Sequence, residues 1–259
     1  IFLSLKLNLS FEIFNYLSVF LVFICSLIFL KLFQKLNINR NIVILSLILI
    51  YSGKLFPSIS QMVNMSWTLN FFFITIFIYN IYKNKKYSHN INYLVLILAP
   101  NVFGTGFAIV GYSLIYGFVN FKEKIAYQYI FFAIISFIIA FVLPKIFVPG
   151  HHQWEEQTFD IYNFIKILYF PGFFSNIFFP WSTIFSIPML IIGYMQISLI
   201  LYFSIKKNIS INTFVTKNVI LLISIILACL VSFSRPEIER FIQPRYVTIS
   251  ILFQVGFLI

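Results

Sequence analysis

The sequence predicts an all-α protein: a polytopic transmembrane helical bundle of about 8 to 10 membrane segments, including short helices broken by Pro or Gly. Three observations lead there. Of 259 residues, 61% are apolar and only 10% are charged, with a mean hydropathy of +0.96, whereas a soluble globular chain carries about 25% charged residues. Apolar runs of about 17 to 25 residues recur along the chain, long enough to cross a hydrocarbon core of about 30 Å at about 1.5 Å per residue. The runs are continuous rather than alternating. Because backbone groups in lipid must bond internally, helices supply the spans and barrel strands do not. A water-soluble fold is excluded. No Ser/Pro/Gly-rich linker divides residues 1–259, so the chain reads as a single integral membrane domain. It starts at Ile1 and stops at Ile259 inside an apolar run, so the expectation is a fragment of a longer protein.

The elements follow in order. A first span covers about Ile13 to Leu30, and Lys31, Lys35 and Arg40 after it mark a cytoplasmic end by the positive-inside rule. A second, shorter span runs from Asn41 to about Phe56 and ends at Gly53 and Pro57, both poor helix continuers. The chain returns from Trp67 to Tyr82, where Lys83-Asn84-Lys85-Lys86 again marks the inside. Ile91 to Asn120 has two readings, because Ala99-Pro100-Asn101 and Gly104-Thr105-Gly106 interrupt it. As one kinked helix it places Lys122 and Lys124 outside. As a hairpin, with a short helix to Leu98 and a longer one from about Val102, it keeps every lysine-rich turn inside, and this is the preferred reading. Ala126 to Leu143 then runs outward to Pro144, and Val148 to Asp160 forms an external loop. Ile161 to Phe179 holds Lys166, Pro171 and Gly172 and lies in the interface. Ser182 to Phe203 returns to Lys206-Lys207, Val219 to Phe233 goes out, and the chain turns inward again from Tyr246. Trp67, Trp154 and Trp181 all fall at the outer surface in this arrangement, as interfacial tryptophans do.

The net charge of +11 does not point to nucleic acid, since the basic residues sit in short turns between spans rather than in an arm or patch. Thirty-five Phe among abundant Ile, Asn, Lys and Tyr reflect AT-rich coding and require no cofactor. Cys25 and Cys229 lie inside apolar runs and read as small buried hydrophobes rather than as a disulfide or metal pair.

Chemistry concentrates in two stretches. The first is Ser234 to Tyr246, S-R-P-E-I-E-R-F-I-Q-P-R-Y, which sets Arg235, Arg240 and Arg245 on the side where positive charge is normally avoided. That placement asks for an anion, either Glu237 and Glu239 within the loop or a substrate phosphate, which suits the planar arginine fork. The second is His151-His152-Gln153-Trp154-Glu155-Glu156, with Asp160 beyond it. Each His stands four residues before a Glu, so on a helix the two share a face. A His or carboxylate acting as general acid or base is the sharper reading, and acids occupying an aqueous loop is the plain one. No metal-ligand spacing such as H-E-x-x-H occurs, and neither metal nor cofactor is expected.

With Gln243-Pro244-Arg245-Tyr246 opening a late span, and a Gly-interrupted helix ahead of a basic turn, the chain resembles poorly characterised bacterial polytopic membrane proteins. Their layout is similar to that of GT-C-type glycosyltransferases. The resemblance rests on Arg245 and Tyr246 as a motif and on layout elsewhere. The acid such enzymes carry in a first external loop has only Glu12 as a stand-in, and a long external loop is absent. It implies an envelope glycan enzyme of the bacterial cytoplasmic (inner) membrane that transfers a sugar from a polyprenyl-phosphate-linked donor at the outer face. Catalytic candidates are then Glu155, Glu156, Asp160 and His152; substrate-binding candidates are Arg235, Arg240, Arg245, Tyr246 and His151. The rival expectations are a transporter or flippase for a lipid-linked or anionic substrate, and a non-catalytic membrane subunit. Partners are the lipid bilayer and the lipid-linked sugar, without nucleic acid.

Overall fold

In the computed structural model the described residues are 11–50, 65–83, 85–102, 104–143, 187–234 and 247–258. They form ten α-helices and no strand. These are α1 (Phe11–Lys35), α2 (Arg40–Ile50), α3 (Met65–Lys83), α4 (Lys86–Val102), α5 (Phe107–Val119) and α6 (Lys124–Phe137), then α7 (Ile187–Lys206), α8 (Ile211–Lys217), α9 (Val219–Ser234) and α10 (Val247–Leu258). A 3-10 turn, Gly104–Gly106, separates α4 from α5, and α6 continues as a π-helical turn over Ile138–Val142.

Two helices, Asn15–Lys35 and Lys124–Val142, are long and apolar enough to cross a membrane; a third span results if Ile211–Lys217 and Val219–Val231, bent by 87°, count as one. Gly104–Val119 and Ile191–Lys206 are apolar but shorter. The all-helical class is thus present, with two to three membrane-length helices among the described residues.

The basic turns are built alike where they can be compared. After α1 the chain reads Asn37-Ile38-Asn39 and after α7 it reads Asn208-Ile209-Ser210. Asn37 (φ 52°) and Asn208 (φ 48°) take the left-handed conformation, which asparagine tolerates. The amides of Ile38 and Ile209 then bond back to Phe33 O and Ser204 O, closing the last helical turn. The third residue caps the next helix: Asn39 Oδ1 accepts from the Asn41 amide at 2.9 Å, and Ser210 Oγ from the Thr213 amide at 3.2 Å. The stretch between Lys206-Lys207 and the span expected from Val219 therefore contains α8.

Between α4 and α5 the chain takes the hairpin. Its boundaries differ from expectation, because α4 runs through Pro100 to Val102 and α5 begins only at Phe107. Pro100 brings no N–H to the Leu96 carbonyl, its normal helical acceptor. Ser136 Oγ of α6 donates to that carbonyl instead, at 2.6 Å, so the helix continues past the proline. The reversal is tight: Gly106 lies against the Ala99–Pro100 peptide, and Asn70 Nδ2 of α3 donates to Thr105 Oγ1.

Contacts along the helices fix their directions. Phe107 meets Phe137 and Phe141, while Tyr116 meets Tyr129, so α5 and α6 are antiparallel. Gly256 of α10 packs on the Leu221 backbone, so α9 and α10 are antiparallel as well. Lys35 Nζ donates to Tyr82 O at 2.6 Å and Tyr82 Oη donates to Lys217 O, which joins the ends of α1, α3 and α8. The turns holding Lys35 and Arg40, Lys83 and Lys85, Lys122 and Lys124, and Lys217 accordingly gather at one end of the bundle, here the basic end. The core between these helices is aromatic and aliphatic, with Phe29, Phe33, Phe77, Tyr112 and Tyr129 fully buried.

The reversal at Gly106 makes a specific demand. A Cβ there would overlap the Ala99 carbonyl and the Pro100 nitrogen, whereas one at Gly104 meets nothing within 4 Å. Gly106→Ala should destabilise the detergent-solubilised protein by about 1 to 3 kcal/mol, as overpacking does. Gly104→Ala should leave the thermal midpoint nearly unchanged, and equal midpoints for the two variants would contradict the hairpin.

Candidate functional site

All nine residues singled out from sequence, His151, His152, Glu155, Glu156, Asp160, Arg235, Arg240, Arg245 and Tyr246, lie outside the described residues. The helices that flank them are described. Alpha6 leaves the basic end and reaches Val142 at the opposite, far end, level with the 3-10 turn; α9 leaves the basic end and reaches Ser234. Alpha10, antiparallel to α9, starts from Val247 at that far end. Alpha7 runs 20 residues to the basic turn at Lys206, so Ile187 stands about 30 Å along the helix from that turn. The ends from which residues 144–186 and 235–246 depart therefore lie away from the lysine-rich turns.

Within the described residues the polar side chains converge on Tyr129, near the basic end of α6. Its hydroxyl stands 2.9 Å from His89 Nδ1 and accepts from Asn92 Nδ2 at 3.0 Å. Asn92 Nδ2 also reaches Phe77 O at 3.3 Å, while Asn92 Oδ1 is buried with no partner among the described residues. The rings of Phe77, Tyr93 and Tyr116 stand edge-on to Tyr129 at 5.3 to 6.1 Å. Tyr93 in turn donates to Gln128 Oε1 at 2.8 Å and stacks on Phe132 at 4.5 Å. Alpha4 supplies His89, Asn92 and Tyr93 at spacings of three and four, which put all three on one helical face. That spacing was readable in the sequence. Its partner Tyr129, 37 to 40 residues away, was not.

The network is neutral in composition. Every buried polar residue among the described residues is Asn, Gln, Ser, Thr or His89, or one of the buried tyrosines; Asp, Glu, Lys and Arg do not occur there. No group of three or more His, Cys, Asp or Glu that could hold a metal occurs among the described residues. Cys25 is buried, Cys229 half-buried, and both are free thiols. The arrangement positions helices through shared hydrogen bonds and offers no carboxylate for acid–base work. Just outside it, Lys83 Nζ lies over the rings of Tyr79 and Tyr87, 5.6 and 4.7 Å from their centroids. Its hydrogen bond with Tyr87 raises the Lys83 ammonium above its ordinary value and lowers the Tyr87 phenol.

Comparison with protein-family models, curated proteins and solved structures finds no match.

Tyr129→Phe keeps the ring contacts and removes the hydroxyl shared by His89 and Asn92. Breaking a buried hydrogen-bonded group costs about 1 to 3 kcal/mol, so a lower thermal midpoint in detergent is expected. Tyr127→Phe, at a position 58% exposed, should stay within about 0.5 kcal/mol of the parent.

Proposed function

We propose that the chain is an integral protein of the bacterial cytoplasmic membrane that works on a lipid-linked anionic substrate at the face opposite its basic turns. The reaction class proposed is glycosyl transfer from a polyprenyl-phosphate-linked donor in envelope glycan synthesis. One observation carries the reading. The segments that hold the three arginines and the His/Glu cluster depart from helix ends that lie away from the lysine-rich turns. By the positive-inside rule, those lysines face the cytoplasm and both segments start from the outer side.

The surface supports immersion in lipid. Tyr16, Phe20, Phe23 and Leu27 are exposed along one face of α1, and Leu94, Phe118 and Phe131 are exposed on α4, α5 and α6. Apolar faces on this scale are foreign to soluble monomers. The finer count of about 8 to 10 membrane segments belongs to this proposal, with α4 and α5 as a short-helix hairpin whose non-helical turn is shielded by protein.

In the mechanism, arginine forks at positions 235, 240 and 245 neutralise the leaving phosphate, and His151 and Tyr246 help to hold the donor. A carboxylate from Glu155, Glu156 or Asp160, or the His152 imidazole, accepts the proton of the attacking acceptor hydroxyl. The transporter reading would place charged groups within the helices. The buried polar groups of the described helices are uncharged types apart from His89, which favours the surface enzyme.

Two experiments test the proposal. In a background of Cys25→Ala and Cys229→Ala, Gln153→Cys and Glu237→Cys should both react with a membrane-impermeant thiol reagent applied outside, and Lys85→Cys should not. Labelling of Lys85→Cys alone would invert the orientation and end the outer-face reading. Arg245→Ala should lower glycan output per molecule roughly ten- to a hundredfold, because a hydrogen bond to a charged group contributes about 1.5 to 3 kcal/mol. Arg245→Lys keeps the charge without the bidentate fork and should recover only part of the loss. If the arginine merely anchors the chain, Lys should equal Arg and the loss should appear in membrane abundance instead.

A further inference from the structure

At the basic end, α8 stands apart from the other helices. It is seven residues long and bent by 87° from α9. If α9 runs along the membrane normal, α8 lies in the membrane plane. It does not float there: Tyr112 Oη, from a fully buried ring, donates to Val215 O at 3.2 Å, Tyr82 Oη donates to Lys217 O, and Ser210 caps the first turn. The fold thus fixes a short helix at the rim of the bundle with two of its carbonyls held by phenols.

What that helix presents is unusual. Ile205 and Ile211, on either side of the turn into it, are 73% and 74% exposed, the most exposed large apolar side chains among the described residues. Lys206, Lys207 and Lys217 beside them are also exposed, and Lys206 Nζ lies 5.4 Å from the ring of exposed Tyr202. Among the described residues the acids are Glu12, on α1, and Glu123, between α5 and α6, so α8 and its flanking turns contain none. Exposed apolar residues flanked by lysines, with no acid on the helix or its turns and the helix lying in the plane, have the chemistry of an interfacial anchor for an anionic surface.

We propose that α8 and the Ile205-Lys206-Lys207 turn dock on acidic phospholipid headgroups of the cytoplasmic leaflet. Ile205 and Ile211 enter the acyl boundary, and Lys206, Lys207 and Lys217 meet the headgroup phosphates. The proposal rests on the membrane reading above and adds a lipid preference, located on one helix, that the positive-inside rule alone does not assign. Tyr112 and Tyr82 give the anchor a fixed link to the core, so headgroup binding there bears directly on α3 and α5.

The test uses the full chain, purified in neutral detergent, with fluorescent phosphatidylglycerol or phosphatidylcholine titrated in mixed micelles. Wild type should bind phosphatidylglycerol more tightly than phosphatidylcholine, and the preference should shrink at high salt. Combining Lys206→Gln, Lys207→Gln and Lys217→Gln should weaken phosphatidylglycerol binding by about fivefold per lysine while leaving phosphatidylcholine unchanged. Arg at the same three positions should restore the preference, which guards against a misfolded variant. Lys122→Gln with Lys124→Gln, at the same end but off α8, should cost less per charge; an equal cost per charge would assign the preference to the whole basic end and overturn the proposal. Equal binding of the two lipids by wild type would also overturn it. A parallel alkaline carbonate wash separates the two levels. Release of the chain from membranes refutes the integral reading, whereas retention without lipid preference refutes only this inference.

Discussion

The hydrogen bond from Ser136 to the Leu96 carbonyl is the constraint on which the rest of the arrangement depends. Pro100 leaves that carbonyl without its helical donor in a setting with no water to replace it, and an unsatisfied buried carbonyl costs about 1 to 3 kcal/mol. Ser136 removes the cost only if α6 lies beside α4 with the two helices parallel, as Tyr129 beside His89 and Ser136 beside Leu96 require. Alpha5 must then run back to the basic end before α6 begins, which is what the reversal at Gly106 accomplishes. Alpha6 then leaves the basic end; α9 leaves it too, because Tyr82 holds Lys217 there, and α10 comes back against α9.

The charge distribution follows from the same reversal. With one kinked helix in place of the hairpin, Lys122 and Lys124 would sit opposite Lys35 and Lys83; with the hairpin they share an end, and the interior needs no charge at all. What remains inside is a set of hydroxyl, amide and imidazole groups, several of which bond across helices, as Asn92 does to Tyr129, Tyr112 to Val215 O and Ser136 to Leu96 O. Such groups tie helices together in an apolar medium without the desolvation cost of ions. Gln196 and Gln254 exchange two amide bonds, at 2.8 and 3.1 Å, and connect α7 to α10 in the same manner.

The long apolar helices were legible in the sequence because their signal is local. Alpha3 and α9 match the expected spans closely at both ends; α1 and α6 match at their starts, but α1 runs on from Leu30 to Lys35 and α6 gives way to a π-helical turn at Ile138. The Ile91 to Asn120 stretch left two readings open for a physical reason: Pro100, Gly104 and Gly106 permit either a kink or a turn, and the deciding bond comes from Ser136 on another helix. Alpha8 was missed because seven residues with a lysine and two threonines carry no apolar period, although the repeated Asn-Ile-Asn and Asn-Ile-Ser turns announce a new helix in both places. The Tyr129 network was half legible, since the face of α4 is set by helical spacing while its partner depends on tertiary packing. The nine residues chosen from sequence fall outside the described residues, so only the positions of their flanking helices bear on them.

Those flanking helices constrain what residues 235–246 can be for. Alpha9 and α10 are antiparallel neighbours in backbone contact, since Gly256 leaves no room for a Cβ against Leu221. Residues 235–246 stand between Ser234 of α9 and Val247 of α10. They include three arginines, two glutamates and two prolines in a chain with only 10% charged residues. A plain connection needs none of these charges, and on the outer side proposed above the arginines would run against the usual sign preference. Two glutamates cannot neutralise three arginines, so one positive charge is left over within the segment. In the proposed reaction the phosphate of a lipid-linked substrate would balance it, which makes this stretch, more than the neutral helical interior, the place where that proposal is tested first.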